Sequence, residues 1–310
     1  RRNDSEINKQ IPPVSKKRKL AYLLLIINTV VWGLAIPIVK PALSFTSPER
    51  FLFYRFLLAS ILTLPFLILN WKKWKLNLKT LIKISSLELI GTTLILWLFY
   101  YSLKLTSAIE SSIISSVAPL FITALGIFIL KEKETKKEWR GLFLALLGTL
   151  VIAAEPIIGK NGHISGNLTG NALMLVQNIV WAVYLVLAKK IYRRYSKLAI
   201  TAISFWVGTI TFLILSFPSG NPLLMIGAEI SQIQILWAVV YMAIFGSIVG
   251  ATTYLAGQNL IEISEASLFT YLLPLIAVPV SIVFLHESLA PLTVLGMILI
   301  FIGVIVGEKK

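Results

Sequence analysis

The chain contains no cysteine and only two histidines. Without thiols there is no disulfide, no iron–sulfur cluster, no thiolate zinc site and no cysteine nucleophile. His163 and His286 sit at the ends of separate apolar runs, so no His-based metal site is expected. Charge is scarce as well. Asp and Glu number 14 and charged residues make up 14% of the chain, against about 25% in an ordinary soluble domain. There is no HExxH, no GxSxG, no phosphate-cradling P-loop and no pair of carboxylates deep in one apolar run. Those absences argue against an enzyme and against ATP-driven pumping by this chain. Neither a metal nor a cofactor is expected.

What the chain has in excess is apolar surface. Hydrophobic residues make up 57% of its 310 positions and the mean hydropathy is +0.84, more than a single water-bounded core can hide. A membrane helix needs about 20 mostly apolar residues. Such runs fall near 20–40, 48–69, 80–103, 107–130, 138–155, 169–190, 197–217, 235–257, 263–285 and 289–307. A barrel strand would alternate apolar and polar residues over about 10 positions, whereas 141–154 reads GLFLALLGTLVIAA. The expected fold class is therefore all-α integral membrane, with ten transmembrane helices. The first run, reaching Val39, is longer than the roughly 7–15 residues of a signal core, so it reads as a retained span. Two links are long, 156–168 and 218–234, both carrying Pro and Gly. The first of them is the natural seam between two halves.

Lys and Arg number 29, for a net charge of +15. In a soluble chain that balance would point to nucleic acid. Here the bases lie in short links between apolar runs, so they report topology and no nucleic-acid partner is expected. With the N-terminus in the cytoplasm, most fall inside, in the basic tail 1–19, around 72–83, 131–140 and 189–197, and at the C-terminus. Lys40, Arg50, Lys104 and Lys160 fall outside. The bias predicts a multi-pass plasma-membrane protein with both termini cytoplasmic. The partners expected are the lipid bilayer and a small-molecule substrate, with the chain a monomer or a dimer.

The chain repeats itself. The shift that lays Gly91 on Gly246 also lays Pro119 on Pro274, Glu132 on Glu287, Gly141 on Gly296 and Gly148 on Gly303. APLFITALGIFILKE then faces LPLIAVPVSIVFLHE. A slightly smaller shift matches Asn28, Trp32 and Lys40 with Gln177, Trp181 and Lys189, the difference being taken up in 218–234. The domains are thus a first repeat at 20–155, a linker at 156–168 expected outside the cell, and a second repeat at 169–307. Five helices per repeat is an odd number, so the second copy enters the bilayer upside down. Inverted repeats with a site near the midplane are the architecture of secondary transporters.

The ordered set of matching residues resembles the drug/metabolite transporter superfamily, with two EamA-like repeats over about 20–307. The resemblance rests on Trp32-Gly33 in the first helix, Arg55 in the second, the turn Thr106-Ser107-Ala108, Pro119-Leu120 and Pro274-Leu275, the helix-closing Glu132 and Glu287, and the Gly…Gly pattern ending each half. In the second copy Ala182 follows Trp181, and Ser204 aligns with Arg55. The resemblance implies exporters of amino acids and related metabolites.

Polar side chains at hydrocarbon depth are expensive and often functional. Ser112, Ser115, Ser116 and Pro119 fall at helical spacing in the fourth run, and Ser267, Thr270, Tyr271 and Pro274 in the ninth. They line a cavity or simply bond their own backbone and let helices approach; each Pro breaks the helix and frees carbonyls. Asn28 with Trp32, and Gln177 with Trp181, straddle the centres of the first and sixth runs, with Tyr184 one turn on. Trp97 and Tyr101 in the third run, and Thr253, Tyr254 and Gln258 in the eighth, are vestibule candidates, although Tyr101 also suits an interfacial belt. Glu88 is the one carboxylate well inside a span, a candidate proton carrier or cation-binding group. Arg55 is expected to be structural, either snorkelling or paired with Glu88. Glu110, Glu132, Glu265 and Glu287 at run ends read as solvated caps or gate contacts. The small-residue spacings Gly246/Gly250, Gly303/Gly307 and Gly141/Ala145 permit close helix contacts, within the chain or at a dimer seam.

These residues suit a secondary transporter exporting a small amphipathic metabolite, neutral or zwitterionic, by alternating access. A sugar phosphate or nucleotide sugar would require several buried bases. The alternatives are a lipid or hydrophobic-solute flippase or facilitator of the same fold, or a non-transporting membrane subunit.

Overall fold

The computed structural model describes residues 16–74, 77–125, 129, 136–153, 167–192, 195–261, 266 and 268–307, and no strand occurs among them. Its helices are α1 (Lys16–Ala42), α2 (Pro48–Trp74), α3 (Leu78–Leu105), α4 (Ala108–Ser115), α5 (Ala118–Leu125), α6 (Lys136–Ala153), α7 (Leu168–Tyr192), α8 (Lys197–Ser216), α9 (Pro222–Ile230), α10 (Ile233–Gln258), α11 (Leu273–Leu285) and α12 (Pro291–Gly307). Six of these, α1, α2, α3, α7, α8 and α10, are long and apolar enough to cross a bilayer. The α4–α5 stretch, α6, α11 and α12 supply shorter apolar segments. The fold is an all-α integral membrane protein of two repeats. Phe66, Leu69, Phe284 and Phe301 stand exposed on its outer surface, where water would penalise them and hydrocarbon does not.

The irregularities of the two halves match. A π-helical stretch covers Leu89–Leu94 in α3, and another covers Met242–Ala251 in α10. They surround the aligned Gly91 and Gly246. The fourth run is broken between α4 and α5 at Ser116-Val117, and a 3-10 turn at Leu268–Leu272 precedes α11. Proline lacks an N–H and crowds the carbonyl one turn earlier, which puts each irregularity just before Pro119 or Pro274. The run 107–130, expected as one span, is therefore two helices over its described part.

Packing repeats as well. α1 lies on α10 and α11, while α7 lies on α3 and on α4–α5; α2 pairs with α8, and α6 with α12. In the repeat alignment the first two sets exchange with one another and the last two pairs map onto themselves. The α6–α12 seam is a close backbone approach. A Cβ added at Gly148 would lie 2.6 Å from the Gly296 carbonyl oxygen, and one at Gly303 would lie 2.6 Å from that of Gly141. The glycine spacings here serve contacts within the chain, and Gly250 likewise admits the Trp32 indole. Gly148→Leu will force α6 and α12 apart, at about 1–3 kcal/mol for overpacking. A lowered melting temperature in detergent is the expected reading; a variant melting with the wild type would remove this contact from the account.

The link 218–234 is not a plain loop. Asn221 accepts from the Leu223 N–H, Pro222 opens α9, and Glu229 near its end is buried. Its carboxylate takes Arg50 Nε at 2.9 Å and Nη2 at 2.8 Å on one oxygen. Thr46 Oγ1 and Tyr54 OH donate to the other, each at 2.8 Å. This cluster clasps the second half of the chain to the start of α2.

Candidate functional site

A cavity of about 140 Å³ opens where the two halves meet. Trp32 and Ile36 come from α1, Arg55 from α2, Ile95, Phe99 and Tyr100 from α3, and Ser115 from the last turn of α4. Gln177, Asn178 and Trp181 come from α7, Met242 from α10, Thr270 from the 3-10 turn before α11, and Leu273 from the first turn of α11. Its wall is aromatic. Trp32 and Trp181, matched in the repeat, meet edge to face at 6.2 Å. Tyr254 lies behind them, 5.3 Å from Trp32 and 5.9 Å from Trp181.

The matched amides do different jobs. Asn28 Nδ2 donates to the Gly250 carbonyl at 2.9 Å and Trp32 Nε1 to that of Gly246 at 3.1 Å, so both tie α1 to the π-helical stretch of α10. Gln177 makes no hydrogen bond among the described residues and faces the cavity. Asn178, which the sequence did not single out, lines the cavity beside it while donating to the Ile114 carbonyl at 2.6 Å. Position next to Gln177 was the only signal for it.

The Ser stripe divides. Ser112 and Ser116 donate to Ile109 and Ile113 carbonyls of their own segment, at 2.7 and 2.6 Å, and are fully buried. Ser115 alone of the three reaches the cavity, with Met174 Sδ 3.4 Å from its hydroxyl. In the other half Thr270 lines the cavity, Tyr271 packs into a neighbouring apolar cluster, and Ser267 lies outside the described residues. Thr253 bonds its own helix at the Val249 carbonyl, and Gln258 is buried. Trp97 donates to Glu49 at 2.8 Å and stacks on the exposed Tyr101 at 5.5 Å, so this pair stands away from the cavity.

Arg55 and Glu88 are not paired, and Arg55 does not snorkel. Arg55 is only 6% exposed. Its Nε donates to Ser247 Oγ at 2.8 Å and its Nη1 to Tyr100 OH at 2.7 Å. Glu88, 1% exposed, accepts from Thr92 Oγ1 at 2.5 Å, Tyr184 OH at 2.8 Å and Tyr192 OH at 2.5 Å. Depth along two helices could not show that they point to different partners. A signal for those partners did exist in the repeat. The residue after each aligned glycine carries a hydroxyl, Thr92 after Gly91 and Ser247 after Gly246, and each bonds one of the two charges. Tyr184 links the two regions, since its ring stacks on Trp181 at 5.6 Å while its hydroxyl holds Glu88. Gly91 is required here because the Tyr184 ring occupies the space a Cβ would need.

The start of α4 meets the end of α11. His286 takes a left-handed φ of 54°, ending α11. Glu287 then accepts the Ala108 and Ile109 N–H groups at 2.8 and 2.9 Å, capping the N-terminus of α4, where a helix dipole favours negative charge. Glu110 is buried, not solvated: it completes a capping box with Ser107 and accepts from Thr106 Oγ1 at 2.7 Å. Lys40 Nζ donates to the Leu103 carbonyl at 2.7 Å and also to that of Thr106. Glu132 and Glu265 lie outside the described residues. No cluster of metal-ligating side chains occurs among the described residues.

A family described as the EamA-like transporter family matches residues 19–154 and again 168–306. The uncharacterized transporter YyaM of Bacillus subtilis (strain 168) is 28% identical over 93% of both chains. An uncharacterized transporter of Archaeoglobus fulgidus is 27% identical over 93% of this chain and 97% of its own. A protein crystal structure 16% identical aligns over 92% of this chain and 96% of that one, with a TM-score of 0.63, which speaks for the fold alone.

Proposed function

The chain belongs to the EamA-like transporter family, and on that premise we propose that it is a secondary transporter exporting one small amphipathic metabolite, an amino acid or a related compound, across the plasma membrane. The observation that carries this reading is the cavity between the halves, walled by the matched Trp32 and Trp181 and reached by both helix breaks through Ser115 and Thr270. Broken helices at a central cavity are the usual transporter site. Two repeats, 20–155 and 169–307 around the linker 156–168, turn about this cavity and give alternating access. Their exchanged contacts support a two-fold relation, and five spans in each make that relation an inversion. The Lys/Arg bias supports cytoplasmic termini, which puts the contact of Glu287 with the α4 N-terminus on the extracytoplasmic side, where it serves as a gate. Glu88 is the coupling group, its state sensed at the cavity wall through Tyr184 and Trp181.

Counterflow is the test. Liposomes holding the full chain and loaded with unlabelled phenylalanine and phenylpyruvate will accumulate external tracer of one or the other transiently, as only a carrier with alternating access does. Passive equilibration without counterflow would sink the reading and favour a facilitator. Trp181→Ala removes a large apolar wall, about 1.5–3 kcal/mol of contact for a well-buried aromatic cargo. Counterflow should fall at least about tenfold; unchanged rates would place the cargo elsewhere.

A further inference from the structure

The cavity contains a positive charge that no described protein group balances, and we propose that the cargo provides the missing negative one: a small monocarboxylate anion with a single apolar or aromatic body and no ammonium group, seated on Arg55. This rests on the transporter reading above and narrows its substrate class.

Arg55 is buried in the cavity wall, and both of its protein acceptors, Ser247 Oγ and Tyr100 OH, are neutral oxygens. Nη2 has no partner, and no carboxylate forms an ion pair with Arg55, among the described residues. The Phe56 and Tyr100 rings, 4.9 and 5.8 Å from the guanidinium carbon, offer a weaker cation–π contact. A buried guanidinium without a counter-ion is strongly unfavourable, and relief comes when an anion arrives. Ser247 and Tyr100 meanwhile hold the fork in one orientation, leaving Nη2 for a ligand oxygen, the charge-assisted geometry in which arginine excels.

The same inventory rejects an ammonium. No Asp or Glu is among the described residues lining the cavity, and Glu88 is engaged by Thr92, Tyr184 and Tyr192. A zwitterion would leave the net positive charge in place and add a second cation with no carboxylate to meet it. A monoanion cancels the charge. The unpartnered Gln177 amide supplies a further donor for a carboxylate or keto oxygen. Size sets the body. A dry cavity of about 150 Å³ holds a benzene-sized guest, and this one measures about 140 Å³ between Trp32, Trp181 and Phe99. One ring or branched alkyl group takes up that volume, which limits the cargo to carboxylates with a single such group, aryl and branched-chain 2-oxo acids among them. Phosphate esters, with a higher charge and one guanidinium to meet it, do not.

The test compares phenylpyruvate, phenylalanine and phenethylamine, which share one ring and a short chain and differ in charge, as labelled tracers in liposomes containing the full chain, with protein-free uptake subtracted. Phenylpyruvate should enter at least tenfold faster than either amine-bearing probe. Arg55→Gln should lower its entry at least tenfold and Arg55→Lys by less. Phenylalanine or phenethylamine moving as fast as phenylpyruvate overturns the inference and leaves the carrier reading standing. Movement of none of the three overturns both. A folded Arg55→Gln protein with wild-type phenylpyruvate uptake also overturns the inference. If Arg55→Gln does not fold, the wild-type probe ranking and Arg55→Lys decide, and an unranked panel counts against it.

Discussion

Replacing Glu229 by alanine will destabilise the folded chain by about 3–5 kcal/mol, the usual penalty for breaking a buried ion pair from one side. Arg50, 8% exposed, would lose its carboxylate, and Thr46 and Tyr54 would lose their acceptor. The Arg50 Nη1 contact with the Ser219 carbonyl survives the change, but a neutral oxygen does not replace an anion. Glu229→Gln keeps an acceptor and should lose less. Unfolding of the detergent-solubilised protein by titration with a denaturing detergent reads both values. An alanine variant within about 1 kcal/mol of wild type would assign the cluster the worth of a surface ion pair, and α9 would then not clasp the halves.

Glu88→Gln will abolish the response of transport to a pH gradient while leaving counterflow in place. The carboxylate sits among three hydroxyl donors with no basic partner among the described residues, so replacing it by an amide breaks no salt bridge. Each proton moved with the cargo lets one pH unit drive about tenfold accumulation; glutamine carries no proton, so the ratio should fall to about one. Tyr184→Phe removes the hydroxyl but keeps the ring against Trp181, and should weaken the gradient response more than counterflow. Full gradient response in Glu88→Gln would take Glu88 out of the coupling step.

The spans were legible in the sequence because hydropathy over a window of about 20 residues is a local property. The breaks were half legible. Pro119 and Pro274 predict lost hydrogen bonds wherever they sit in a helix, yet the run 107–130 still read as one span because its hydropathy does not pause. The link 218–234 read as a loop from its Pro and Gly, and α9 hid there because Pro222 suits the first turn of a helix as well as it ends one.

The site was less legible. Ser112, Ser115 and Ser116 share a spacing, but a hydroxyl can satisfy itself on its own helix carbonyl, and two of the three do. Arg55 and Glu88 stood out by cost alone. The composition and the duplicated pattern determined a membrane-embedded, two-repeat helical protein, because lipid leaves the backbone few ways to satisfy its hydrogen bonds. Tertiary structure alone decided that Arg55 turns to the cavity, that Glu88 turns to Tyr184 and Tyr192, and that Glu229 reaches back to Arg50. Partners far apart in the chain meet only once the helices have packed, and no periodicity along one helix encodes which neighbour it will face.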